Sequence, residues 1–246
     1  FADKTAQTFA PRHLLTAYKL QHGSISLFRP MVAKFLMATY SPRGRVLDFC
    51  AGWGGRLLGA LAAPNVVSYV GIDSNADMHA AYAAMAREFG GRDGAARVTT
   101  LASPAETVDY GAVGAFDCVV TSPPYYGVEV YPHAPAYASH EDWLRRFLFV
   151  VLRGLVRHID PDGAVCINIR QPATEARMVE EMARLGWRVA DTLLMRLSAM
   201  PGKGSRKADA AYGEPVYVFR RAAAALVDHE VVVDAVSYTH LTLPTI

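Results

Sequence analysis

Six consecutive residues, Thr121-Ser122-Pro123-Pro124-Tyr125-Tyr126, carry the chemistry most easily read from this chain. They follow the apolar run Phe116-Asp117-Cys118-Val119-Val120, which reads as a buried parallel strand. Two prolines fix φ and remove two backbone donors, so the segment cannot continue a sheet. What remains is rich in acceptors, carbonyls and one short hydroxyl, with an aromatic plate beside them. At the carboxyl end of a strand in an open α/β sheet, these groups face the crevice where ligands bind. That chemistry suits a planar group bearing an NH2, such as a nucleobase. The alternative is a Pro-Pro loop that simply closes a strand.

The elements that must position this turn start upstream. Arg45-Val46-Leu47-Asp48 is a short strand that runs into Phe49-Cys50-Ala51-Gly52-Trp53-Gly54-Gly55 and then into a helix from Arg56. Glycines let backbone approach a ligand, and the helix N-terminus offers free N–H groups. Asp73 ends the next strand, Val66 to Ile72, and stands where an acid accepts both hydroxyls of a ribose. Alone, the glycine turn also fits a dinucleotide site, so a dehydrogenase stays open at this point.

Taken together, the two stretches resemble the motifs of S-adenosylmethionine-dependent amino-methyltransferases, whose catalytic signature is Asp/Asn/Ser-Pro-Pro-aromatic. The resemblance spans residues 25–222. It implies an α/β, Rossmann-like class I methyltransferase fold, a mostly parallel seven-stranded sheet with an antiparallel last strand and helices on both faces. It implies catalytic roles for Ser122, Pro123, Pro124 and Tyr125, and S-adenosylmethionine bound by Asp48, Cys50, Gly52, Gly54 and Asp73. Cys50 stands where the family usually has glycine. A proline-led helix before the first strand, Phe28-Arg29-Pro30 onward, contributes to the cofactor site in that family. Arg29 then faces either the cofactor carboxylate or a surface acid. Glu106, in the loop after the third strand, either flanks the adenine or is a solvent-facing helix-start acid. The implied reaction is methyl transfer to the exocyclic amine of a DNA base. Serine in the first motif position leans toward cytosine over adenine by family association. Glu214-Pro215, opening the last strand, supports the family without being assigned a role.

Three other readings stand beside this one: a methyltransferase of RNA guanine, one of a protein glutamine amide, and a catalytically silent fold that serves as a binding subunit. Neither the gap between the motifs nor the segment after the turn has room for a target-recognition domain, which sets the chain apart from large restriction-type enzymes. Compact phage-type DNA methylases resemble it most.

Bulk properties bound the partners. The chain has 246 residues, 52% of them hydrophobic, and a formal net charge of +2. That suffices for one sizeable α/β core, residues 25–222, and leaves nucleic-acid contact to local patches. Two such patches are weighed. Arg145, Arg146, Arg153 and Arg157 ride on a helix from Ser139 to His158, read as a solvated face ahead of a phosphate-contacting one. The basic, glycine-rich loop from Ala199 to Lys207 is either a nucleic-acid backbone contact or a solvated loop. Cys50, Cys118 and Cys166 fall in apolar runs and read as reduced core residues rather than metal ligands or disulfides. No metal site and no membrane span is expected, and a cytoplasmic location follows as the default. Residues 1–24 form a mixed N-terminal segment from a start at Phe1, and 223–235 a tail. Residues 236–246 resemble translated adapter sequence and are set aside, which places the natural truncation near Ala235.

Overall fold

A computed structural model of the chain describes residues 27–129, 135–196, 213–222 and 232–233. The chain order is α1 (Pro30–Tyr40), β1 (Arg45–Asp48), α2 (Gly55–Ala62), β2 (Ser68–Asp73), α3 (Met78–Phe89), β3 (Val98–Ala102) and β4 (Phe116–Thr121). It continues through α4 (His140–Trp143), a π-helical segment (Leu144–Leu148), α5 (Phe149–Leu155), β5 (Ile159–Asn168), α6 (Pro172–Arg184), β6 (Trp187–Arg196), β7 (Gly213–Arg221) and β8 (Val232–Val233).

The strands form one sheet in the order β3-β2-β1-β4-β5-β7-β6-β8. All neighbours from β3 to β5 run parallel, and β7 is antiparallel to both β5 and β6. The expected sheet of seven strands, mostly parallel with an antiparallel last strand, is thus present. The two-residue β8 adds a parallel edge beside β6, in the segment expected to be a tail. The basic loop around Lys203 to Lys207, the N-terminal segment and residues 236–246 lie outside the described residues.

Alternation explains the two cores. Along β4 after the register shift that follows Phe116, Val119 faces one side, while Cys118 and Val120 face the other. Along β5, Val165 and Ile167 face the first side, Ala164 and Cys166 the second. The first layer packs on α5 and α6 through Val151, Leu152, Leu155, Met178 and Met182; the second packs on α1 and α2 through Leu36, Met37 and Leu57. Strands covered on both faces need near-continuous apolar sequence, and β4 is buried at every position. Each fully buried leucine or methionine contributes about 1.5–3 kcal/mol of transfer free energy. Cys118 and Cys166 sit within the second layer as free, buried thiols.

Local details depart from the sequence reading in three places. Pro161-Asp162-Gly163 does not end a turn before a short strand; it lies within β5 as a bulge, since Phe116 pairs with Ile159 and Cys118 with Ala164. Asn75 is not the cap of α3, which starts at Met78; its side chain accepts the Asp77 N–H at 3.1 Å just ahead of the helix. The long helix after Ser139 is broken by a π-helical turn. Ser139 does cap it, accepting the Asp142 N–H at 3.1 Å.

Candidate active site

The carboxyl ends of β1 to β5 and the start of β7 surround a cavity of about 690 Å3. That size lies within the range of small-molecule and cofactor sites, roughly 300–1,000 Å3. Of the expected residues, Arg29, Cys50, Gly52, Asp73, Glu106, Ser122, Pro124 and Tyr125 line it.

Asp48, Gly54 and Pro123 are not among the lining residues. Asp48 is fully buried, and its carboxylate is occupied from four directions. Its Oδ2 accepts from Arg56 Nε at 2.7 Å and from the Tyr69 hydroxyl at 2.8 Å. Its Oδ1 accepts from Thr121 Oγ1 at 3.0 Å and the Cys50 N–H at 3.3 Å. Gly54 caps α2 with φ +79° and faces Met85 and Tyr82. Pro123 is buried beneath the turn.

The glycine turn shapes one end of the cavity. Gly52 has φ +57°, and a Cβ there would meet no atom nearer than the Cys50 carbonyl oxygen at 3.7 Å, so its open side belongs to the cavity. The Gly52 N–H donates to Asp73 Oδ2 at 2.7 Å, and the Asn75 N–H donates to Oδ1 at 2.9 Å. Asp73 is therefore latched to both flanking loops, with further lone pairs available on each oxygen. Glu106 lies across from it after β3 and accepts from the Tyr137 hydroxyl at 3.4 Å. Burial, and next Asp48, raises the Cys50 thiol well above the ordinary range, so Cys50 is a protonated wall residue and not a thiolate.

The Pro-Pro turn shapes the other end. Thr121 pairs with Ile167, which brings Ser122 beside Asn168 at the tip of β5. Asn168 is 2% exposed. Its Nδ2 donates to the Pro215 carbonyl oxygen at 3.0 Å. A carbonyl can only accept, so the amide orientation is fixed, and Oδ1 faces Ser122. Ser122 Oγ lies 3.3 Å from that Oδ1 and must be the donor. The hydroxyl proton is thereby directed away, and the oxygen presents lone pairs elsewhere. Tyr125 lines the cavity next to it, and burial, followed by the charge of Glu214, raises its phenol above the ordinary value; it stays neutral.

Sequence reasoning passed over several wall residues. Glu214 stands at the start of β7 and lines the cavity. Burial raises its carboxyl above the usual range, and Arg170, the Asn168 hydrogen bond and Arg29 oppose that shift, while Glu129 adds to it. Arg29 therefore acts on the acceptor end as well. Arg56, 5% exposed, also reaches the wall. Trp143 and Phe147 line the cavity from the helical segment that contains the π turn, a device that re-aims side chains at functional sites. Trp143 stacks on His140 with centroids 6.0 Å apart and lies 6.2 Å from Tyr126. Gln171 Nε2 donates to the Tyr126 carbonyl at 2.9 Å and pins the end of the turn. One signal was available: Asn168 is the single amide in an otherwise apolar run, Ala164 to Ile169.

Three arginines on the helix after Ser139 pair with acids: Arg145 with Glu141 at 3.8 Å, Arg146 with Asp142 at 3.1 Å and Arg153 with Glu181 at 2.6 Å. Among the described residues there is no group of three or more His, Cys, Asp or Glu side chains able to hold a metal, and no helix long and apolar enough to cross a membrane.

No protein-family model matches the chain, and no curated protein resembles it in sequence. Solved structures do share its fold. TrmN from Thermus thermophilus is 20% identical, with TM-score 0.51, over 87% of this chain and 55% of that one. The M protein of the type I restriction enzyme EcoKI is 12% identical, with TM-score 0.52, over 87% of this chain and 48% of that one. This chain thus spans about half the length of those two proteins. SMU.1697c from Streptococcus mutans, named as a methyltransferase and solved with SAH, is 9% identical, with TM-score 0.51, over 80% of this chain and 99% of that one. At such identities the likeness speaks for architecture, and with the sheet order described above the chain has the Rossmann-like fold of the class I methyltransferases.

Proposed function

We propose that this protein transfers a methyl group from S-adenosylmethionine to the exocyclic amine of a nucleic-acid base, with cytosine in DNA as the favoured target. The observation that carries this reading is the fixed direction of the Ser122 proton. With Oγ–H committed to Asn168, the Ser122 oxygen accepts an N–H and repels a carbonyl. Tyr125, on the same wall, supplies a face on which a base leaving the stack can lie.

The residues present fit the cofactor. Gly52 leaves an opening that any Cβ would fill, and Asp73 offers charged acceptors suited to two ribose hydroxyls. Cys50, Gly52 and Asp73 would hold it, with Glu106 toward the adenine and Arg56 or Arg29 toward the carboxylate. When bound, the cofactor supplies an electrophilic methyl on a sulfonium. Ser122, at the cavity wall, holds the amine by one N–H so that its lone pair points along the cavity. Tyr125 and Pro124 fix the ring plane. The gain is proximity and orientation, worth up to roughly 7–11 kcal/mol in well-aligned systems. No protein nucleophile is required, in keeping with a protonated Cys50.

The test uses labelled methyl donor with duplex DNA, single-stranded DNA and total RNA, followed by nucleoside analysis. Label in cytosine of DNA, abolished by Tyr125→Ala, is the expected result. Label confined to RNA moves the substrate class, and label confined to methyladenine overturns the base preference. Binding of SAH with no label in any pool overturns methyl transfer to nucleic acid.

A further inference from the structure

Three side chains at the acceptor end form one connected set. Ser122 donates to Asn168, Asn168 donates to the Pro215 carbonyl, and the Asn168 amide also favours the charged form of the neighbouring Glu214. They come from the tips of β4, β5 and β7, which the register places side by side. Glu214 lines the same cavity as Ser122 and Tyr125 and is partly accessible from it. The methyl-transfer geometry leaves it without a task. An aromatic exocyclic amine has two N–H bonds, and Ser122 accepts one.

We propose that Glu214 is a catalytic residue: it accepts the second N–H of the target amine and takes the proton that the nitrogen must release once methylated. This deepens the amine-methylation reading and rests on it. After transfer the nitrogen is cationic and carries one proton too many. The N–H bond breaks heterolytically, its electron pair returns to nitrogen, and the proton forms an O–H bond on Glu214. The acid then releases that proton to water through the open cleft. No other reactant is needed.

The surroundings suit a proton acceptor. Facing Glu214 are Asn168 and Arg170 from the end of β5, Arg29 ahead of α1, Glu129 from the loop after the turn, and the apolar Met195 of β6. Burial makes the carboxylate more basic than an exposed one, and the two arginines and the amide oppose that rise. The same carboxylate repels a carbonyl oxygen. Ser122 and Glu214 together therefore select amines over keto groups.

The experiment measures single-turnover methylation against pH for the full chain and for Glu214→Gln, with SAH affinity followed in parallel by calorimetry. The glutamine is isosteric and keeps an acceptor for Asn168. In the native protein the rate is expected to fall as pH drops through the Glu214 ionisation. Glu214→Gln is expected to lose about 100-fold in rate and to lose that acid limb, while SAH affinity stays within twofold. Glu129→Gln is expected to retain the limb. Glu214→Ala supplies a second readout, because a small carboxylate such as formate added to the buffer is expected to restore part of its rate. Native rates and an unchanged acid limb in Glu214→Gln would overturn the role of Glu214 alone. A native protein that binds SAH but methylates no amine overturns the proposed function and this role with it.

Discussion

Thr121 Oγ1 donates to Asp48 Oδ1 at 3.0 Å, across 73 residues of sequence. That bond ties the end of β4, from which the Pro-Pro turn springs, to the end of β1, from which the glycine turn springs. Asp48 also accepts from Arg56 in α2 and Tyr69 in β2. Its carboxylate is thus the joint between the two halves of the cavity, held in the dry interior.

Asp48→Ala is therefore expected to act on the fold. Removing the carboxylate strands the Arg56 guanidinium, 5% exposed, and leaves two hydroxyls without their acceptor. Breaking a buried pair from one side costs about 3–5 kcal/mol. Urea unfolding should show a midpoint lowered accordingly with an unchanged slope. Thr121→Val removes one bond of the same joint and should cost about 1 kcal/mol. A loss below 1 kcal/mol for Asp48→Ala would mean that the pair is not buried as described.

Asp73 is expected to act on cofactor affinity instead. Both oxygens already hold backbone N–H groups, Gly52 at 2.7 Å and Asn75 at 2.9 Å, so the carboxylate sets the loops as well as offering acceptors. Hydrogen bonds to a charged group contribute about 1.5–3 kcal/mol, which converts to about a 10- to 150-fold loss of SAH affinity in Asp73→Ala. Asp73→Asn should lose nearly as much, because its amide would turn a donor toward one of two donors. Calorimetry decides between this and a surface role, for which both variants would bind SAH as the native protein does.

How much of this was legible beforehand depends on the range of the interaction. The strand before the Pro-Pro turn could be read because an unbroken apolar run followed by two prolines has few other solutions. Asp73, Ser122 and Tyr125 could be placed on the cavity wall because their motifs are local. Asp48 could be placed in the loop motif but not in its role, since whether it meets ligand or core depends on Arg56, Tyr69 and Thr121 from three other elements. Glu214 was visible only as the opening of a strand. Its place on the cavity wall next to Asn168, one strand away from Ser122, follows from β7 entering antiparallel between β5 and β6, a matter of topology. Pro161-Asp162-Gly163 misled for the opposite reason: its local signature is a turn, and pairing of the flanking residues with β4 overrides it.

Gly59 offers a test of how α1 supports the wall. A Cβ at this position would lie 2.5 Å from Ala33 Cβ and 2.6 Å from the Pro30 carbonyl oxygen. Both contacts are on α1, whose start carries Phe28 and Arg29 into the cavity. Gly59→Ala gains helix propensity, by about 1 kcal/mol, but forces the two helices apart, which costs about 1–3 kcal/mol. The expected outcome is a net loss of stability together with weaker SAH binding, from one methyl group remote from the ligand. Thermal unfolding and calorimetry on the same samples check it. Unchanged SAH affinity would show that α1 is not a support of the wall.

Glu214 should also leave a signature on stability, opposite in sign to that of an ion-paired carboxylate. Burial, the largest influence on it, raises its carboxyl above the value in the unfolded chain. Between the two values the folded state binds more protons than the unfolded state, so stability falls as pH rises through that window. Below the ordinary glutamate range both states are protonated and the cost is absent. Glu214→Gln is neutral throughout. Its melting temperature should therefore match that of the native protein at acid pH and exceed it at neutral pH. A native protein stabilised relative to Glu214→Gln at neutral pH would mean that Arg170 and Arg29 outweigh burial, and that the carboxylate is a structural ion-pair partner and not a basic group held ready at the cavity wall.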